Sequence, residues 1–66
     1  MSWLVEISCP NPVGWMIVSR REDGRGAKRV FEKMQRSIDP GVSLRLVHNL
    51  RTIATFHKHK QPKELR

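Results

Sequence analysis

Sixty-six residues leave room for one small domain, and a chain of this size buries only about 60% of the surface it exposes when unfolded, near the limit of independent stability. Hydrophobic content of 38%, with two Trp and two Phe, excludes a disordered polar tail, and no apolar run approaches the roughly 18 residues that a membrane-spanning helix needs. The net charge of +7 is gathered rather than spread, with seven Lys or Arg against three acids in residues 19–36 and a further +3 in residues 57–66, a placement that steers polyanions.

Residues Trp3 to Ser8 alternate, with Trp3, Val5 and Ile7 on one side and Leu4, Glu6 and Ser8 on the other. That predicts a strand with one face suited to a core. Glu6 interrupts the apolar stretch and no basic segment precedes it, which argues against a secretory signal. Cys9 is the single cysteine, so no internal disulfide can form. A free thiol suits a reducing compartment, and the expected location is the cytoplasm. Cys9-Pro10-Asn11-Pro12 should stop the strand, because proline cannot donate to a ladder. Val13 to Arg20 resumes extended character with apolar residues on both faces, Val13, Trp15 and Ile17 against Met16 and Val18. Such a strand is expected at the centre of a sheet, in a hairpin with the first.

Arg20 to Gly26 lead into the helix predicted over residues 23–38. Ala27, Val30, Phe31, Met34 and Ile38 recur at intervals of three and four and form one narrow apolar stripe. Asp23 is the N-cap candidate, since its carboxylate can accept an orphan amide. Gly24 and Gly26 weaken the first turn by about 1 kcal/mol each relative to alanine and could delay the start. The face opposite the stripe carries Arg25, Arg29, Lys33 and Arg36, with Lys28 on the flank. Glu32, the acid of the helix body, stands four residues before Arg36, where a pair would be worth a few tenths of a kcal/mol. Asp39-Pro40-Gly41 ends the helix.

Val42 to His48 alternates again, with Leu44 and Leu46 opposite Ser43, Arg45 and Val47. A turn centred on Asn49 leads to a fourth strand, Thr52 to His57, with Ile53 and Thr55 opposite Ala54 and Phe56. The expected fold is α+β, in the order β-β-α-β-β, an antiparallel sheet with the amphipathic helix across one face. Residues 1–57 form the single domain, and residues 58–66 are expected to be a flexible basic tail. The other sheet face keeps Leu4, Val47 and either Trp15 or Met16, an apolar set that suggests a homodimer or a protein partner.

The succession of an apolar strand opening on Trp3, a Gly14-Trp15 strand, a helix with Ala27 and Phe31, and an Arg45-Leu46-Val47 strand spans residues 3–56. It resembles small phage-encoded or mobile-element proteins of β-β-α-β type. That resemblance implies a bacterial host cell as the setting. It also implies a role as an inhibitor or accessory protein that binds a host enzyme, such as RNA polymerase, or a defence complex.

Cys9, His48, His57 and His59 are the candidate metal ligands, but their spacing lacks the paired pattern of zinc sites, and Lys58 and Lys60 would repel a cation. No metal or cofactor is expected. Six scattered acids offer no acid–base pair, Cys9 has no recruited base, and Gly24-Arg25-Gly26 lacks the Lys-Ser/Thr ending of a phosphate loop. The expected role is therefore binding rather than catalysis. Arg25, Arg29, Lys33 and Arg36 on one helix face, with Arg20 and Arg21 leading in and Lys58, Lys60 and Lys63 trailing, suit phosphates or an acidic protein surface. Gln35 is the only amide on the helix, so contacts to base edges are not expected there. Binding to a membrane surface is disfavoured, because the apolar stripe is needed by the sheet.

Overall fold

The computed structural model describes residues 2–10 and 13–59. Strands β1 (Trp3–Pro10) and β2 (Val13–Arg21) form an antiparallel hairpin, helix α1 (Gly24–Ser37) follows, and β3 (Ser43–His48) and β4 (Arg51–His57) form a second hairpin. The architecture is α+β in the order β-β-α-β-β, with one four-stranded antiparallel sheet.

The strand order is β2-β1-β3-β4, because β1 pairs with β3 as well as with β2. This corrects the central place expected for β2, which lies at the sheet edge. The physical reason is coverage. β1 and β3 supply the sheet side chains that become buried, Val5, Leu44 and Leu46, whereas Trp15, Met16, Ile17 and Val18 of β2 all remain exposed. β1 also runs two residues past its expected end, to Pro10, which pairs with Val13 at the margin of the ladder. The expected turn at Asn11-Pro12 lies outside the described residues.

The core is small and comes from the two predicted periodicities. Val5, Leu44 and Leu46 are buried from the sheet, and Ala27, Phe31 and Ile38 from the helix side, with Trp3, Ile7, Val30, Met34, Ala54 and Phe56 packed around them. Val5 lies across from Leu46 and Ile7 from Leu44, so this face is continuous over both central strands. Asp23 caps the helix, accepting a bond from the Gly26 amide at 2.9 Å, so the start does not slip despite the two glycines. Gly24 has a packing reason: a Cβ placed there would lie 2.7 Å from the Trp3 ring, and that ring stacks on His48 at 4.0 Å.

At the far end Asp39-Pro40-Gly41-Val42 closes a turn, with Gly41 at φ 92° and the Val42 amide bonded to Asp39 O at 3.1 Å. Lys58, placed in the expected tail, is held instead. Its amide bonds to Val42 O at 3.0 Å and its carbonyl accepts from the Gly41 amide at 2.6 Å. Residues 60–66 of that tail lie outside the described residues.

The β3–β4 turn has both central residues at positive φ, Asn49 at 54° and Leu50 at 64°. Two such residues match the twist of a tight hairpin, and Asn-Gly is the pair this geometry favours. Leucine at the second position costs about 1–2 kcal/mol from its Cβ, and at 98% exposure its side chain recovers nothing from the fold. Leu50→Gly is therefore expected to stabilise the protein by about 1 kcal/mol and to raise Tm by roughly 4–8 °C for a domain of this size. A thermal melt checks this; an unchanged or lower Tm would mean that the leucine is not strained.

Candidate nucleic-acid interface

The helix uses its apolar stripe on the sheet, which fixes what it turns outward. Arg25, Lys28, Arg29, Glu32, Lys33 and Arg36 are all exposed. Arg25, Arg29 and Lys33 stand at successive i, i+4 positions, so their charges repeat about every 6 Å along the axis. Like charges at this spacing destabilise a helix by a few tenths of a kcal/mol per pair. Among the described residues the ion pair formed is Glu6 with Arg45, on the sheet. The expected Glu32–Arg36 pair is not made. In water a pair worth so little does not repay the entropy of fixing two long side chains.

Arg20 and Arg21 part company. Arg21 lies across from Trp3 and so stands on the helix-bearing face, near the helix N-terminus. Arg20 lies across from Leu4, on the opposite face, and lines a depression of about 210 Å³ with Ser2, Leu4, Val47, Asn49 and Leu50. A β-bulge causes this. The β1–β2 register shifts between Val5 and Glu6, where Val18 is the extra residue. Simple alternation would set Arg21 with Trp15 and Ile17, but the extra residue moves Arg20 to their face instead.

Lys58 is also reassigned by its contacts. Its ammonium donates to the Ile38 carbonyl at 2.9 Å and to the Arg36 carbonyl at 3.3 Å. It satisfies orphan carbonyls at the helix C-terminus and offsets the negative end of the dipole. Its charge adds to that end of the helix, but two of its three donors are engaged. Lys60 and Lys63 lie outside the described residues. The site that the fold brings together is thus Arg21, Arg25, Lys28, Arg29, Lys33 and Arg36, with Lys58 behind its far end. Arg20 faces away.

The open sheet face holds Trp15, across from Ser8, rather than Met16, which lies across from Ile7 on the helix-bearing side. Leu4 and Val47 are half-buried there, and a charged band divides the face: Glu6 pairs with Arg45, whose guanidinium lies over the Trp15 ring at 4.2 Å from its centre. Sequence reasoning missed this triad, for which only the Glu6–Arg45 charge complement was visible. The candidate metal ligands do not converge. His48 stacks on Trp3, His57 shares a 2.7 Å hydrogen bond with Ser43 Oγ and meets His59 edge-on, and Cys9 stands at the opposite end of β1 from His48.

Among the described residues no helix is long and apolar enough to cross a membrane. Comparison with protein-family models, with curated proteins and with solved structures found no match, so the chain's own residues carry every functional argument.

Proposed function

We propose that this protein binds nucleic acid through the outer face of α1, contacting phosphates by charge and without reading sequence. The observation that supports this reading most is the like-charged row Arg25, Arg29 and Lys33, continued by Arg36 and flanked by Lys28 and Arg21. The row weakens its own helix, and a polyanion would relieve that repulsion while releasing counterions. Catalysis is not part of the reading. A second reading is docking on an acidic protein surface, as the phage-type resemblance implies. It would use the same exposed row, Arg25, Arg29, Lys33 and Arg36, whose charges suit clustered carboxylates as well as phosphates.

A filter-binding titration of wild type and the Arg29→Glu, Arg36→Glu double variant on duplex DNA and single-stranded RNA, across several salt concentrations, separates the two. With about five phosphates neutralised, a fourfold rise in salt should cost roughly 500-fold in affinity for the duplex and roughly 130-fold for the single strand. The double variant should lose about two units of the log–log salt slope, with the loss shared by all nucleic-acid sequences. Arg29→Glu alone should meanwhile change the stability of the fold by no more than about 0.5 kcal/mol, since it turns the pairs with Arg25 and Lys33 into opposite ones but sets a carboxylate three residues before Glu32. Binding no tighter than that of an unrelated protein of equal net charge would remove the nucleic-acid reading. Loss of one protein partner in the double variant, with weak and unchanged nucleic-acid affinity, would favour the second.

A further inference from the structure

Among the described residues no strand pairs with the outer edge of β2. From Val13 to Ser19 the strand carries no charge, and its exposed apolar residues follow one another without a break from Trp15 to Val18. Edge strands are usually blunted by lysine, proline or an inward charge, because their unpaired amides and carbonyls invite another strand. Here the first charges, Arg20 and Arg21, come only after the bulge.

Nothing among the described residues of a single chain explains Gly14. A Cβ at this position would meet nothing within 4 Å, and its backbone is not in the positive-φ region that calls for glycine. Met16, two residues on and on the same face, is 54% exposed, beyond the cover of the helix.

We propose that β2 pairs with β2 of a second copy, antiparallel, about a two-fold axis normal to the sheet and passing through Trp15. Such an axis keeps every side chain on its own face, so directly opposed residues lie side by side. Gly14 then faces Met16 of the other chain, and the reciprocal pair repeats it. Each thioether fills the space that a glycine leaves open. On the opposite face Val13 meets Ile17 of the partner copy, and the two Trp15 rings meet at the axis in one apolar cluster.

Neighbouring registers are poorer. An axis through Met16 would draw the bulge residue Val18 into the ladder, and one through Gly14 would leave only Val13 to Trp15 of the strand paired. In the Trp15 register Arg20 and Arg21 fall outside the paired segment, so the seam brings no like charges into opposition. Both helices lie on the same side of the resulting eight-stranded sheet. The inference does not depend on nucleic-acid binding.

Sedimentation velocity in nucleic-acid-free solution tests it, with tryptophan emission followed in parallel. Wild type should pass from a 7.7 kDa species to one of twice that mass as concentration rises through the micromolar range, with a blue shift as Trp15 is covered. Trp15→Lys should fold, because position 15 is exposed, and should stay monomeric, because two lysines would face each other at the axis. Trp15→Glu should stay monomeric for the same reason. An equimolar mixture of the two should recover the dimer, since opposite charges then meet at the axis, whereas general stickiness predicts no such recovery. A wild type that remains at 7.7 kDa throughout, a Trp15→Lys variant that associates as well as wild type, or a mixture that stays monomeric would each overturn the proposal.

Discussion

Phe31→Ala is expected to leave the chain largely unfolded at room temperature. Phe31 sits in the centre of the helix stripe, buried with Val5, Leu44 and Leu46 beneath it. Removing a buried phenyl ring costs about 3–5 kcal/mol, from lost transfer free energy and the cavity left behind. A domain of 66 residues holds only about 3–10 kcal/mol in total. Among the described residues the core has six buried side chains and none in reserve to collapse into the gap. Urea unfolding followed by circular dichroism reads this directly: the midpoint should fall close to zero denaturant. A midpoint within a few tenths of a molar of wild type would show that the helix does not seal the sheet.

Gly24→Val should lower stability by about 2–3 kcal/mol, against the direction of helix propensity. Glycine is the poorer helix former by several tenths of a kcal/mol, so on propensity alone valine would gain. The Cβ, however, would stand 2.7 Å from the Trp3 ring, and that ring is already stacked on His48, 4.0 Å between centres. Overpacking of this kind forces side chains off their rotamers or shifts the backbone, at about 1–3 kcal/mol. The branched side chain adds to that. The expected drop in Tm is roughly 10–20 °C, using about 4–8 °C per kcal/mol for a domain of this size. A variant as stable as wild type would show that Trp3 yields freely, and that Gly24 reflects only the loop it came from.

The candidate site was legible in outline. Arg25, Arg29, Lys33 and Arg36 could be placed on one face because helical period and the apolar stripe fix orientation within a single element. Arg20 and Arg21 could not be sorted, because their sidedness depends on an extra residue that appears only when β2 is laid against β1. Lys58 read as one more tail cation, since its role depends on helix carbonyls some twenty residues away in sequence. Leu50 was visible beside Asn49 in a turn, but its positive φ and full exposure follow from the two-residue closure between His48 and Arg51.

What the sequence determined by itself is local: four alternating strands, one amphipathic helix capped by Asp23, the stop at Pro40-Gly41, and the basic outer row. These depend on periods of two and 3.6 and on capping chemistry, which act between residues a few positions apart. The tertiary structure decided the strand order, and with it which apolar residues are covered. Apolarity on both faces of β2 could mean burial at the centre or an unfilled edge, and only the pairing of β1 with β3 distinguishes them. It also decided the parity of each strand beyond its bulge, because one inserted residue reverses every later side chain. Pairing between distant segments is set by the sum of many weak contacts across the whole sheet, and no single stretch of chain carries that sum.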